Sequence, residues 1–186
     1  MKNFNIEKSC IITESDIDVS FLPMLVRRKL SQLDKIIFSV LDKLYDEKID
    51  NIILSSRYGE FDRLNEIISQ YQTDNMVSPI KFSASVHNYA PAAFSQMKKI
   101  TDSYNAISAG DESLEAGICT AIIQPDTRTC LCYADDIGIG LVIDTKSGGY
   151  SFAPQETEAE TIEDFIRFLN NEKDSWNSGL GVFKRV

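Results

Sequence analysis

The run Leu114–Ile123 restricts the architecture of this chain most. It is almost entirely small or apolar apart from Glu115, and it is entered from Tyr104–Ser108 through Ala109-Gly110-Asp111-Glu112-Ser113. A helix that is apolar on every side, with Ala and Gly in it, is buried between layers. A strand, a sharp turn and a buried helix in succession predict an α/β domain whose helices cover a sheet. Asp111 and Glu112 suit the positive end of that helix, and Ser113 is a capping candidate.

The remaining patterns fit such a domain. Ser9–Thr13 is a short apolar run suited to a strand. Leu33, Ile36, Ile37, Val40, Leu41 and Leu44 follow the i, i+3, i+4, i+7 spacing of an amphipathic helix, with Asp34, Lys35, Asp42 and Lys43 opposite. Residues 51–56 read as a buried strand, and Glu60–Tyr71, behind the turn residue Gly59, repeats the helical stripe through Phe61, Leu64, Ile67 and Ile68. A helical stretch over Phe82–Asn88, a break at Pro91 and a helix over Ala92–Ile100 follow. Thr129–Ala134 and Ile137–Ile143 predict a hairpin, and Thr161–Asn170 an amphipathic helix behind the acidic loop 155–160. The expected order is β-α-β-α-(α)-β-α-β-β-α without internal repeat, a three-layer αβα domain on a mixed five-stranded sheet. Trp176–Val186 carries no clear pattern and is expected to form a loosely ordered tail.

Composition narrows the function. A length of 186 residues supports one domain over 1–186, and 43% hydrophobic with 25% charged residues excludes disordered and fibrous chains. With 19 Lys and Arg against 28 Asp and Glu the net charge is -9, which leaves no basic stripe for nucleic acid. No apolar run is long enough to span a membrane, and the N-terminus lacks the apolar region of a secretory signal, so a cytoplasmic location is expected. Cys10, Cys119, Cys130 and Cys132 then read as reduced thiols. Cys130 and Cys132 share one strand face, yet a structural zinc site needs four ligands at suitable spacing; neither metal nor cofactor is expected.

His87 is the sole histidine, so any histidine-assisted mechanism passes through it; without an evident partner it reads as a satisfied helix histidine. The serine-hydrolase elbow is absent, because Ser113 stands in Gly110-Asp-Glu-Ser-Leu-Glu-Ala-Gly117, at the wrong glycine spacing. Gly138-Ile-Gly140 has no helix after it and is taken as a hairpin turn. The acidic residues around 156–164 are a solvated loop and the first turn of the last helix. The turn at 108–113 has the form in which several α/β enzymes set a nucleophile against helix-terminal amides, but Gly110 puts no side chain at its tip.

Three stretches carry a resemblance: Phe82-Ser-Ala-Ser-Val-His-Asn88, Ala92-Ala-Phe-Ser95 and Tyr104-Asn-Ala-Ile-Ser-Ala-Gly-Asp-Glu-Ser-Leu-Glu-Ala-Gly117. Over residues 10–145 the chain resembles the N-terminal half of a β-ketoacyl synthase of the thiolase superfamily. More narrowly, it is similar to the ketosynthase-like chain-length-factor partners of aryl polyene biosynthesis. In active ketosynthases the turn reads Ser-Ala-Cys-Ala-Thr or close to it, so aligning Ser108-Ala109 places Gly110 at the nucleophilic cysteine. A complete ketosynthase is roughly twice as long, and its second half supplies two catalytic histidines. Cys119 lies two turns into the helix, away from amides that would lower its pKa.

The resemblance thus implies a half-thiolase fold without its own condensing activity, paired with an active β-ketoacyl synthase that elongates a carrier-bound polyene, polyketide or fatty-acyl chain. Acyl carrier protein would meet the pair mainly through that partner, since a chain of net charge -9 docks acidic proteins poorly unless Arg27, Arg28 and Lys29 form a local patch. Ketosynthases dimerise through the strand before the nucleophile, here Tyr104, Asn105, Ala106, Ile107 and Ser108. Phe82, Val86, His87, Phe94 and Met97 are the implied tunnel or partner contacts. The helix 114–123 would be left partly uncovered in a lone half, for the partner to bury. Two other classes remain open: an independent acyl-thioester hydrolase or transferase using Ser113, Asp111 and His87, and a freestanding small-molecule binding module.

Overall fold

Side-chain alternation along the central strands builds the molecule. The computed structural model describes residues 1–186. Its strands are β1 (Lys2–Ile12), β2 (Asn51–Ser55), β3 (Ser103–Ile107), β4 (Arg128–Ala134), β5 (Gly138–Asp144), β6 (Tyr150–Pro154), β7 (Ser175–Ser178) and β8 (Gly181–Arg185). The helices are α1 (Met24–Arg27), α2 (Gln32–Leu44), α3 (Phe61–Asp74), α4 (Pro79–Ser83), α5 (Tyr89–Lys98), α6 (Ser113–Ile123) and α7 (Ile162–Leu169). One mixed sheet runs β3-β2-β4-β5-β1-β6-β8-β7, with β2 parallel to β3 and β4 and the other pairs antiparallel.

Ile52 and Leu54 of β2, with Cys130 and Cys132 of β4, face a core shared with α2 and α5; Ile53 and Leu131, in between, face a second core with α6 and α7. Burying apolar residues on both sheet faces is what a three-layer αβα arrangement requires. Helix α2 starts at Ser31, whose Oγ accepts the Asp34 amide at 2.9 Å while the Ser31 amide donates to Asp34 Oδ2. Thr161 and Asp164 form the same reciprocal cap at α7.

The sheet has eight strands where five were expected. The first strand begins at Lys2 rather than Ser9, and β6, β7 and β8 extend the sheet beyond it. Trp176–Val186 is not a loose tail: Trp176 is fully buried and its ring lies 4.5 Å from Phe165 and 5.3 Å from Phe183. This extension also corrects the expectation of an uncovered helix, because Leu114, Ile118, Ala121 and Ile122 of α6 lie in one buried cluster with Phe165, Phe168, Trp176 and Phe183 of the same chain.

Gly138 and Gly140 are not a hairpin turn. They lie within β5, where a Cβ on Gly140 would stand 2.5 Å from Leu44 Cδ1 and 2.6 Å from Val40 Cγ1, so their missing side chains let α2 settle directly on the strand. The helix placed over 82–88 is instead the short α4 ending at Ser83, and Pro91 does not break a helix but sits in the first turn of α5. An early-turn proline leaves the ladder intact, since the first amides of a helix have no intrahelical acceptor.

Candidate functional site

The carboxyl ends of the three parallel strands bring the loops 56–60, 108–112 and 135–137 together, the place where ligands sit on open α/β sheets. At the tip of the middle loop Gly110 has φ +59°, and a Cβ there would meet nothing within 4 Å. Ser113, fully buried at the start of α6, accepts the Ala109 amide at 3.0 Å, and its Oγ lies 2.7 Å from Gly110 O and 3.1 Å from Ser56 O, the acceptors of its proton. The hydroxyl therefore staples the turn to the end of β2.

Arg57 fastens the same turn from outside. Its carbonyl accepts from Ser108 Oγ, its amide donates to both Asp135 carboxylate oxygens at 3.2 Å, and its guanidinium Nε stands 3.5 Å from Asp111 and 3.9 Å from Asp135. Burial pushes Asp135 above the usual carboxylate range, and burial beside Asp135 pushes the Tyr133 phenol up as well. Cys119 is half-buried in α6 and its thiol is raised to about 11, first by burial and then by Glu115, so it is no nucleophile at neutral pH.

His87 Nε2 pairs with Ser56 Oγ at 2.8 Å, the Ser56 hydroxyl also accepts the Gly59 amide at 3.0 Å, and the imidazole ring lies against Gly59. Burial holds the imidazole below its ordinary pKa, with Asp135 opposing, so it is neutral near pH 7. Ser113, Asp111 and His87 make no hydrogen bond to one another: Ser113 serves backbone groups, Asp111 pairs with Arg57 in solvent, and His87 serves Ser56.

A second polar cluster lies where α2, α3 and α5 begin. The almost fully buried Arg63 donates to Asp34 Oδ2 at 2.7 Å, Ala84 O at 2.6 Å and Lys29 O at 3.2 Å, and its Nε is 3.0 Å from Glu60 Oε2. Ser31 Oγ donates to Glu60 Oε1 at 2.8 Å. Burial and the neighbouring Asp34 push Glu60 up to about 7, and burial raises Asp34. Ser31, Glu60 and Arg63 line an open cavity of about 500 Å³.

The implied contact residues are spread out. Phe82, Val86 and Met97 are exposed, whereas Phe94 is a core ring 6.0 Å from Phe38 and 5.5 Å from Tyr45. On β3, Tyr104 and Asn105 are exposed and Ala106 and Ile107 half-buried; β3 is an edge strand paired only with β2. Helix α3 turns Phe61, Leu64, Ile68 and Tyr71 outward. Sequence reasoning missed Ser56, Arg57, Asp135, Asp34, Glu60 and Arg63. The usable signals were the Ser31-x-x-Asp34 cap and an arginine, Arg63, adjoining the apolar stripe of its helix.

Among solved structures, the fold is similar to a chain of the complex between the ketosynthase ApeO and its chain length factor ApeC from Xenorhabdus doucetiae. The TM-score is 0.78 at 19% identity, over 100% of both chains. It is also similar to the ishigamide ketosynthase/chain length factor, with a TM-score of 0.56 at 11% identity over 73% of this chain and 51% of that one. No curated protein matches the sequence. These identities speak for the fold, while the family match rests on the sequence itself: residues 5–136, from β1 through the turn after β4, match the beta-ketoacyl synthase N-terminal domain. The chain belongs to the beta-ketoacyl synthase N-terminal domain family.

Proposed function

We propose that this chain is a non-catalytic, chain-length-factor-like subunit that pairs with an active β-ketoacyl synthase in the cytoplasm and supports elongation of a carrier-bound polyene, polyketide or fatty-acyl chain. The observation that carries the reading is Gly110. At the turn where the resemblance places the nucleophile, the chain has no side chain, and Ser113 and Arg57 tie that turn to its neighbours. Condensation needs an activated nucleophile and groups that stabilise the oxyanion; the only imidazole, His87, is engaged with Ser56.

Two surfaces support a protein partner. The edge strand β3 offers unpaired backbone groups to another strand, and the outward face of α3 exposes Phe61, Leu64, Ile68 and Tyr71, a grouping that soluble monomers rarely leave in water. Carrier protein contacts belong to the partner in this reading, and the exposed Phe82, Val86 and Met97 adjoin its acyl tunnel, with His87 half-buried and Phe94 held in the core of this chain. No helix of this chain is long and apolar enough to cross a membrane.

The test is co-expression with a ketosynthase encoded beside it, followed by size-exclusion chromatography with light scattering. A 1:1 complex that condenses acyl thioesters, with this chain alone inactive, is expected. A stable monomer that ignores the ketosynthase, or one that turns over acyl thioesters alone, overturns the reading.

A further inference from the structure

The cluster around Arg63 does not balance as a set of fully ionised groups. Asp34 and Glu60 are both almost fully buried, and one guanidinium serves the two. Ser31 and Arg63 account for both oxygens of Glu60 and for Asp34 Oδ2, while Asp34 Oδ1 is buried without any donor. A buried carboxylate oxygen with no donor is costly, and so is a second buried negative charge. Both problems vanish if one carboxyl carries a hydrogen that reaches the orphaned oxygen.

We propose that Asp34 and Glu60 hold one proton between them, the Glu60 hydroxyl donating to Asp34 Oδ1, and that this buried proton site governs how firmly Arg63 ties three segments together. With the proton bound, one guanidinium faces one net negative charge and can spend its other N–H groups on Ala84 O and Lys29 O. When the proton leaves, the excess negative charge draws water or a cation from the adjoining cavity and pulls Arg63 away from those carbonyls. The loop before α5 and the end of the α1 segment then loosen.

Other charged groups around the cluster are accounted for. From α3, Asp62 and Glu66 line the cavity, and Glu66 is paired with Lys81 of α4 at 3.1 Å. Arg28 and Lys29 also line the cavity, and from α5 the Tyr89 ring lies 5.7 Å from the Arg63 guanidinium. His87 approaches through Gly59, next to Glu60, and its imidazole is occupied by Ser56. The cations at the wall stand outside the buried pair, and none of these groups is a donor to Asp34 Oδ1.

The pair titrates as a unit, so the decisive measurement is a carbon-13 NMR titration of the side-chain carboxyls in the full chain from about pH 4 to about pH 9, free glutamate side chains titrating at about 4.3. One step well above that value, moving the Glu60 and Asp34 carboxyl carbons together, is expected. In Asp34→Asn the Glu60 midpoint should fall by at least one pH unit, because the acceptor carboxylate is gone. Glu60→Gln, which mimics the protonated form, should abolish the shared step while keeping the fold. The proposal is overturned if Glu60 and Asp34 both titrate in the ordinary range in the unmodified chain, or if Asp34→Asn leaves the Glu60 midpoint unmoved. The unmodified chain decides the matter even if a variant fails to fold.

Discussion

At the residue scale, the 108–113 turn stands on the Ser108 and Ser113 hydroxyls, the Arg57 guanidinium and one glycine. Ala at Gly110 will lower stability by about 1 kcal/mol, because a Cβ is disfavoured at φ +59° although it meets no neighbour. Ser113→Ala will cost about 1–3 kcal/mol, since it removes the fully buried hydroxyl that accepts the Ala109 amide and donates to the carbonyl of the buried Ser56. Urea unfolding checks both, with an unchanged m-value expected. His87 supplies the pH dependence. Its folded pKa lies below the ordinary value of about 6.5, so the unfolded chain binds the extra proton and stability falls as pH drops below that value. His87→Gln will therefore lose less stability than the unmodified chain between about pH 7.5 and about pH 5; Glu60, whose raised pKa works in the opposite direction, is present in both and cancels in the comparison. Gly110 was legible in the sequence because a glycine at a turn is a local signal; Ser113 was not, because Glu112 takes the N-cap of α6 and the Ser113 hydroxyl turns back to Ala109 and to Ser56, 57 residues away. Ser56 and Arg57 were not, because their partners lie 31 and 78 residues away at His87 and Asp135.

At the element scale, the strength of the reading follows periodicity. The stripe from Leu33 to Leu44 and the apolar run after Ser113 gave α2 and α6 within a residue or two, and the alternation around Cys130 and Cys132 gave β4. The failures were short elements. β7 has four residues and β8 five, with Gly181 and Lys184 among them, so neither reads as a strand until Trp176 is seen packed on Phe165 and Phe183. Trp176→Ala will cost about 3–5 kcal/mol by leaving a cavity under α7, and amide exchange will show 175–185 losing protection first. Gly140→Val tests the other face. It drives a branched side chain into Val40 and Leu44 and will cost at least about 1–3 kcal/mol in thermal or urea unfolding, the cost of an overfilled core.

At the scale of the whole molecule, the C-terminal extension changes what the chain asks of a partner. Half a thiolase-like layer was expected to leave α6 exposed, yet β6, β8, β7 and α7 complete that core within the chain, and α3 carries four of the large apolar side chains left outward. Leu64→Glu combined with Ile68→Glu will leave the isolated chain as stable as before, since both side chains already face solvent, and will weaken the proposed ketosynthase complex by a factor of about 30 or more. Light scattering and calorimetric titration measure the two effects separately. An unchanged affinity would remove α3 from the interface.

The sequence by itself determined the class of the domain, its two-faced sheet, the buried helix after a strand and the empty tip at Gly110, because each depends on periodicity or on the identity of one residue. Only the tertiary structure decided that β7 and β8 at the C-terminal end belong to the sheet, that His87 serves Ser56, and that Asp34, Glu60 and Arg63 share one buried cluster. The reason is physical. Local propensity is read over a few neighbours, whereas a buried charge or an unpaired strand edge is satisfied by whatever the chain's folding brings alongside it.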